Sequence, residues 1–376
     1  MSTVELPTAL PVLQPLDPAA APPAYLPATV ETTLWGRLPA ESDDPVLTVD
    51  PGTTVVIDTV SHEGILEDQG RDPVRFFGDH GIDPARVLED AIAIAAHGSH
   101  DPQAGPHVVS GPIAVRGAQP GDLLAVHIGD LVPRAPYGVI SSRHGKGLLP
   151  GRFPAGGRPM TSVFCPVEGV DPAFGTLPVR PGEVDRPIRF PLAPFLGLIG
   201  VATAGTDRVR STPPGPYGGN LDITLLVGGT VLYLPVQVPG AGFYVGDPHF
   251  AQGNGEIALT ALEAPLRASV TLDLIPAAKA AARFGGVRGP FAETPTLLVP
   301  TGLDTDLDLA VAACAENALE LLAARFGIDP ELGYAYLSAA TDFDISQVVD
   351  EVKGVHARIR LADFAALARR LPGSGR

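Results

Sequence analysis

One eleven-residue stretch, GDPHFAQGNGE at 246–256, combines an aspartate, a histidine and a glutamate with three glycines. Residues two apart in an extended chain point to the same face, so Asp247 and His249 are expected to present a carboxylate and an imidazole side by side. Glu256 follows the Gly-Asn-Gly turn and is expected to begin a strand. A hairpin-like return would bring it back toward Asp247 and His249.

A second polar pair, Asn220 and Asp222 in GGNLD, is expected to share a face just before the next strand. Carboxylate and imidazole ligands suit zinc, manganese or another divalent ion, and about three protein ligands leave room for a water that becomes nucleophilic. The spacing matches neither HExxH nor an EF-hand. Asp222, Asp247 and His249 equally fit a polar turn network, and Glu256 alone fits a solvated strand residue.

Two further clusters compete for the same chemistry. The first contains His62, Glu63, Glu67 and Asp68, and the second contains His97, His100, Asp101 and His107. Histidines in a polar, Gly/Pro-broken loop can act as metal ligands or as a general base. For His97 and His100, ordinary loop histidines are the simpler interpretation.

Short β-branched runs separated by turn dipeptides dominate the chain, and they are typical of a β-sandwich or barrel. They lie at 46–60, 112–131, 162–169, 186–202, 223–247 and 256–275. Helical spacing is confined to 83–98, 305–327 and 330–340, with an N-cap at Thr305 or Asp306 and a stop at Gly327. We therefore predict a mainly β body with an α-containing C-terminal region, α+β overall.

The predicted organisation has three parts. Residues 1–28 form a Pro/Ala-rich N-terminal arm, 29–290 a β-rich catalytic body, and 291–376 an α/β C-terminal region packed on that body.

Composition excludes several classes of function. The chain has 376 residues, 45% of them hydrophobic, and a formal net charge of −16 without a basic stripe, so nucleic acid is not an expected partner. Charges and prolines interrupt every apolar run, and the N-terminus lacks the features of a signal peptide. We predict a cytoplasmic protein with no membrane partner.

A cysteine nucleophile is a further alternative. Cys165 and Cys314 lie far apart and form no paired motif. Cys314 fits a small buried residue on a helix, which leaves Cys165 as the candidate thiol. The chain contains no GxSxG elbow, P-loop or dinucleotide fingerprint.

The segments HVVSGPIAVRGAQPGDLLAVHI (107–128) and GGNLDITLLVGGTVLYLPVQVPGAGFYVGDPHFAQGNGE (218–256) together resemble the acetamidase/formamidase family. The resemblance extends from about Trp35 to 344–359. It implies a β-rich homo-oligomeric enzyme that hydrolyses a small amide to a carboxylate and ammonia with a divalent metal at the site.

Carried over by motif position, the resemblance implies a central site of Asp222, Asp247, His249 and Glu256, with His107 beside them. The elaborated segment 61–105 departs from the simplest members of the family. It is expected to form a wall of the pocket or to add His62 and Glu63 to it. The identity of the physiological amide substrate therefore stays open.

The resulting hypothesis is metal-assisted amide hydrolysis. A divalent ion, zinc first and calcium or manganese next, is assigned to Asp222, Asp247 and His249, and Glu256, His107 and Asp222 are the predicted catalytic residues. The alternative is a non-catalytic or differently catalytic β-sandwich that binds a small ligand and holds a structural divalent ion.

Overall fold

The computed structural model describes residues 10–183 and 185–368. Within those residues the chain forms twenty strands, most of them short, as the turn-rich composition predicts. In chain order they are β1 (Tyr25–Leu26), β2 (Thr33–Trp35), β3 (Leu47–Val49), β4 (Thr53–Asp58), β5 (Val108–Val115), β6 (Leu123–Pro133), β7 (Tyr137–Arg143), β8 (Met160–Glu168), β9 (Phe174–Leu177), β10 (Ile188–Pro191), β11 (Phe195–Gly200), β12 (Gly218–Asn220), β13 (Val231–Pro235), β14 (Phe243–Ala251), β15 (Leu262–Glu263), β16 (Leu266–Ile275), β17 (Phe291–Glu293), β18 (Leu297–Asp304), β19 (Asp342–Gln347) and β20 (Lys353–Arg360).

Two large sheets pack against one another. The nine-stranded sheet has the order β1-β4-β16-β6-β13-β17-β18-β20-β19. The eleven-stranded sheet has the order β10-β9-β8-β7-β15-β14-β11-β12, with β5 paired to β14, β2 and β3. Val55 in β4 and Val270 in β16 share one apolar core with Leu196 in β11 and Phe243 in β14. Burial of these apolar faces from both sheets stabilises the body.

The helices are few and several of them lie near the C-terminus. They are α1 (Pro73–Gly78), α2 (Glu89–His97), α3 (Ala277–Phe284), α4 (Leu307–Phe326), α5 (Pro330–Ala340) and α6 (Ala365–Ala368), with 3-10 turns at Glu67–Gln69, Pro84–Arg86, Ala155–Gly157 and Leu361–Phe364. The predicted class, a mainly β body with an α-containing C-terminal region, is confirmed.

Helices α4 and α5 match the predicted segments. The Asp306 side chain accepts hydrogen bonds from the first amides of α4, and Gly327 ends the helix at a φ of 65°. Gly302 in β18 lets α4 approach the sheet closely, because a Cβ there would lie 2.1 Å from the carbonyl oxygen of Ala310. The caps and the close packing together fix α4 against the nine-stranded sheet.

The single helix predicted over 83–98 is wrong in its first half. Pro84–Arg86 forms a 3-10 turn, and α2 begins only at Glu89. Between them Leu88 is extended and buried, and the Glu89 amide donates to Oε1 of Gln14. Burial of the connecting residues therefore outweighs the helical periodicity.

The described part of the predicted N-terminal arm contacts the body. Residues 1–9 of that arm lie outside the described residues. Strand β1 pairs in parallel with β4, Leu10 is buried, and Arg134 Nε donates to the Leu13 carbonyl oxygen. Among the described helices, none combines the length and apolarity needed to cross a bilayer.

Candidate active site

Strand β14 carries the two central residues of the predicted site. Nε2 of His249 lies 3.0 Å from Oδ2 of Asp247, so the two side chains meet as their spacing predicted. The His249 ring is fully buried and meets Phe195 of β11 edge to face, with 5.0 Å between ring centroids. The imidazole and the carboxylate thus share strand β14, and the neighbouring strand β11 packs against the imidazole.

Asp222 joins this pair from the chain that follows β12. Its Oδ1 lies 4.0 Å from Nδ1 of His249, and its backbone carbonyl accepts a hydrogen bond from Gln252 Nε2. Its own amide donates to the carbonyl oxygen of Gly197 in β11. The chain therefore brings together the three residues predicted as metal ligands, Asp222, Asp247 and His249.

Gly197 is a site residue that sequence reasoning missed. A Cβ there would lie 2.5 Å from Oδ1 of Asp222, 2.6 Å from Cε1 of His249 and 2.8 Å from Oδ2 of Asp247. Every other residue type would therefore displace these side chains. Its signal was a glycine inside the buried apolar run FLGLIG.

Glu256 lies in a turn, and the prediction that it begins a strand is wrong. Its amide donates to the carbonyl of Gly253, and β15 begins only at Leu262. One oxygen of Glu256 lies within 4.8 Å of donor atoms of His249 and Glu263. The expected return toward Asp247 and His249 is present, but a turn produces it.

Glu263 and Asp350 are two further site carboxylates that the sequence did not single out. Oε1 of Glu263 lies 3.0 Å from Nε2 of His249. Asp350 belongs to the loop after β19, where Oε1 of Gln347 accepts hydrogen bonds from the amides of Val349 and Asp350. The only sequence signal for Glu263 was a lone acid in the apolar run TALEAPL.

Three acids of the site share an unusual backbone conformation. Asp222, Asp247 and Glu256 have φ values of 50°, 49° and 47°, in the left-handed region that residues with a Cβ rarely adopt. Such conformations cost about 1–3 kcal/mol each and persist where the surrounding structure imposes them, often at functional sites.

Two histidines from distant segments lie on the other side of Asp247. Nδ1 of His62 is 3.4 Å and Nε2 of His107 is 3.7 Å from Oδ1 of Asp247. Nδ1 of His107 lies 2.9 Å from Oγ of Ser211. The segment 61–105 thus places His62 beside the predicted metal ligands.

Glu63 is buried directly behind His62. Its Oε1 lies 3.5 Å from Nε2 of His62, and its Oε2 accepts hydrogen bonds from Ser141 Oγ at 2.5 Å and from Gln69 Nε2. Burial alone would raise the pKa of Glu63, but His62 and Arg143 beside it lower that pKa to about 2. Glu63 is therefore a fixed negative charge next to His62.

The cluster opens into a cavity of about 570 Å³. Its floor is formed by six side chains of the cluster: His62, His107, Asp247, Glu256, Glu263 and Asp350. The elaborated segment supplies part of the wall from Leu66 to Asp68 and from His100 to His107, and further residues come from Arg143, Arg210 and 348–351. Asp222 and His249 are fully buried and lie behind this floor.

The carboxyl groups repel one another in this buried setting. Burial and neighbouring carboxylates raise the pKa values of Asp222 and Glu256 well above their usual range. Burial and the charge of Asp247 raise the pKa of Glu263 to about 7 and that of Asp350 to about 8. The cluster therefore contains more acid than the protein alone stabilises in ionised form.

The histidines shift in opposite directions. Burial alone would lower the pKa of His62, yet Asp247 and Glu63 raise it to about 10. Burial lowers the pKa of His107 to about 4. The neutral imidazole of His107 is the form that binds a metal.

The carboxylate oxygens and imidazole nitrogens of the cluster are suitable ligands for a divalent cation. Several buried atoms of the cluster have no hydrogen-bond partner among the described residues: both carboxylate oxygens of Asp222, Oδ1 of Asp247, both ring nitrogens of His249, Oε2 of Glu263 and Nδ1 of His62. Leaving such groups unpartnered costs about 1–3 kcal/mol each, and a cation satisfies several at once. Imidazole nitrogens with carboxylate oxygens are ligands that zinc and manganese accept.

The remaining chemical candidates lie away from the floor. His97 ends α2 on another face, and His100 stacks on Trp35 at 4.5 Å while its Nδ1 contacts Glu67. Cys165 is fully buried in the main core, and burial raises the pKa of its thiol to about 12. The thiol alternative is therefore wrong, because a reactive thiolate needs access and a low pKa.

Known proteins resemble this chain in sequence and in fold. Residues 198–361 match the model of the acetamidase/formamidase family. A formamidase of Methylophilus methylotrophus is 30% identical over 304 residues, which cover 65% of this chain and 73% of that protein. An acetamidase of Mycolicibacterium smegmatis is 33% identical over 198 residues, covering 40% of this chain and 49% of the relative.

The chain thus spans about half the length of that acetamidase. It likewise spans 47% of a relative from Schizosaccharomyces pombe. The crystal structure of an acetamidase from Bacillus halodurans superposes with a TM-score of 0.70 at 26% identity, over 91% of this chain and 99% of that one. By these matches in sequence and in fold, the chain belongs to the acetamidase/formamidase family of amidases.

Proposed function

We propose that the chain hydrolyses the C–N bond of a small amide to a carboxylate and ammonia, with a divalent cation held by Asp222, Asp247 and His249. The observation that carries the proposal is the set of buried, unpartnered carboxylate and imidazole atoms at the floor of the cavity and directly behind it. A cation bound there would lower the pKa of a water and so supply the nucleophile near neutral pH.

Glu256 is the proton carrier of the proposed reaction. Its carboxylate lines the cavity and lies beside the proposed metal ligand His249. From that position it accepts the proton of the attacking water as a general base and, as a general acid, passes it to the amide nitrogen, which leaves as ammonia when the C–N bond breaks. The buried position excludes bulk water from the transfer.

Asn220 and His107 orient the amide. Both line the cavity, and Oδ1 of Asn220 is buried without a partner among the described residues. A substrate NH₂ group can donate to this oxygen. The proximity of His107 to Ser211 fixes its ring, so that Nε2 faces the floor. Two fixed polar groups of this kind restrict how a small amide enters.

The cavity accommodates amides larger than formamide or acetamide. Its volume of about 570 Å³ lies within the range of about 300–1,000 Å³ that holds drug-sized ligands. The elaborated segment 61–105 forms much of its wall, so this segment would set the acyl chain length. Ammonia release across formamide, acetamide, longer aliphatic and aryl amides measures that preference.

The variant Glu256→Gln tests the mechanism. Losing the proton carrier should reduce ammonia release by about 10²–10⁴-fold while metal content per chain stays unchanged. Glu351→Gln is the matched control, because Glu351 also lines the cavity but is exposed and paired with Arg210. Wild-type turnover in Glu256→Gln would refute the role of Glu256.

The second candidate function is a ligand-binding β-sandwich with a structural ion. Full burial of Asp222 and His249 favours it, since structural ions are enclosed. Removing the metal with a chelator distinguishes the two functions. Under the proposed function, ammonia release should be abolished. Under the second, the chain releases no ammonia from amides, and chelation should change only its stability. The homo-oligomeric state and cytoplasmic location inferred from the sequence stay predictions.

A further inference from the structure

The two oxygens of Asp247 face two different groups of donors. Oδ2 lies 3.0 Å from Nε2 of His249, on the buried side with Asp222. Oδ1 lies 3.4 Å from Nδ1 of His62 and 3.7 Å from Nε2 of His107, on the side of the cavity. One carboxylate therefore stands between an inner and an outer set of ligand atoms.

The outer distances differ from those of hydrogen-bonded ion pairs. A charged nitrogen that donates to a carboxylate lies about 2.7–2.9 Å from it. Two ligand atoms on one tetrahedral zinc ion lie about 3.3–3.5 Å apart, given metal–ligand distances of about 2.0–2.1 Å. The separations of His62 and His107 from Asp247 are close to the second value, and Nδ1 of His62 and Oδ1 of Asp247 have no partner in the described part of the chain.

Both outer imidazoles have an oxygen atom near the ring nitrogen that faces away from Asp247, and for His107 this contact is a hydrogen bond. A ligating histidine usually contacts an oxygen through its other ring nitrogen, which fixes the tautomer and the ring. His107 contacts Oγ of Ser211 in this way, and His62 faces Oε1 of Glu63 at 3.5 Å. Glu63 is itself fixed by Ser141.

The carboxyl groups of the cluster are numerous enough to balance more than one divalent cation. Its inner and floor carboxylates are Asp222, Asp247, Glu256, Glu263 and Asp350, all of them buried. One divalent cation offsets the charge of two carboxylates and leaves the rest opposed only by imidazoles. Uncompensated buried charge is among the most costly features a fold can contain.

We propose that His62, His107 and Asp247 bind a second divalent cation of the zinc class on the cavity side, with Asp247 bridging it to the inner cation. The proposal rests on the proposed function, which supplies the inner cation on Asp222, Asp247 and His249. Three protein ligands leave a position open toward the cavity, where a cation would polarise the amide carbonyl, so Nε2 of His107 would orient the amide through this cation.

Metal stoichiometry tests the proposal independently of turnover. The chain is stripped with a chelator, saturated with zinc, freed of excess metal and assayed for zinc per chain by mass spectrometry. We expect two equivalents in the wild type and one in His62→Gln. His100→Gln is the matched control, since His100 also lines the cavity but contacts Glu67 and not Asp247, and it should retain two.

The outcomes separate this proposal from the proposed function. One zinc per wild-type chain at saturation would overturn the second site without any variant, and His62 would then pair with Asp247 as an imidazolium. Two equivalents retained in His62→Gln would also overturn it. If either of these zinc counts is found and a chelator still abolishes ammonia release, the second site is refuted and the proposed function is not. If ammonia release survives complete loss of metal, the proposed function itself is refuted.

Discussion

Two buried groups of charged side chains lie in this fold, and they differ in how their charge is balanced. In the first, Asp58 accepts hydrogen bonds from Nε and Nη2 of Arg267 and from the hydroxyl of Tyr25. Arg134, fully buried, lies 3.4 Å from Asp58 and 2.7 Å from Asp90. The charges of two aspartates and two arginines therefore cancel. We call this group, Asp58, Asp90, Arg134 and Arg267, the balanced cluster.

The second group, the acidic cluster at the cavity floor, has no such balance. Asp222, Asp247, Glu256, Glu263 and Asp350 are buried together, and of the three histidines beside them only His62 and His249 have raised pKa values. Both carboxylate oxygens of Asp222 and Nδ1 of His249 have no hydrogen-bond partner among the described residues, whereas the two such atoms of the balanced cluster, Oδ2 of Asp90 and Nη2 of Arg134, lie 2.7 Å from each other. Arginines neutralise the buried aspartates of the balanced cluster, but no arginine does so for the acidic cluster among the described residues. Because uncompensated buried charge is costly, this imbalance indicates a ligand of opposite charge at the floor.

The largest expected effect comes from breaking the balanced cluster. Arg134→Met leaves Asp58 and Asp90 buried without their shared cation, which should lower the free energy of unfolding by about 3–5 kcal/mol. Denaturant titration measures the change. Arg116→Met is the control, because Arg116 pairs with Asp50 at the exposed surface, where an ion pair contributes about 1 kcal/mol or less. Equal losses in both variants would contradict the comparison.

Local features of both regions could be predicted from the sequence. The caps of α4, the alternation of the strands and the shared face of Asp247 and His249 depend on residues a few positions apart. Spacing rules apply at that range. The mainly β class followed from the same short patterns.

The rest of the acidic cluster depends on contacts between distant parts of the chain. Glu263 reaches His249 because β15 pairs with β14, and Asp350 arrives through the bridge between Gly255 and Gln347. Neither pairing leaves a local pattern. Glu256 has a φ of 47°, a conformation that cannot be predicted from a glutamate in the sequence.

A smaller effect is expected from the glycine beneath the acidic cluster. Gly197→Ala places a Cβ 2.5 Å from Oδ1 of Asp222, and such overpacking costs about 1–3 kcal/mol of stability. The displaced carboxylate should also lower zinc content and ammonia release. Gly151→Ala is the control, because no atom lies within 4 Å of its added Cβ. Unchanged zinc content in Gly197→Ala would contradict the placement of the inner ligands.

The smallest effect has the opposite sign to that of Arg134→Met. Asp350→Asn removes a buried carboxyl group whose ionised form burial and the neighbouring carboxylates disfavour, and its amide can donate to the neighbouring Asp222. The metal-free protein should therefore gain about 1 kcal/mol in its free energy of unfolding. Asp207→Asn, at an exposed position, should change this value little. Denaturant titration in chelator, repeated with saturating zinc, measures both variants.

Zinc should reduce the gain from Asp350→Asn, because bound cations already offset the carboxylates that repel Asp350. A loss of stability in chelator would mean that the acidic cluster, like the balanced one, is stabilised by its own internal contacts. A gain that disappears with zinc would instead identify missing positive charge as the property that separates the two buried clusters, because a cation bound at the floor removes the cost of keeping the Asp350 carboxylate there.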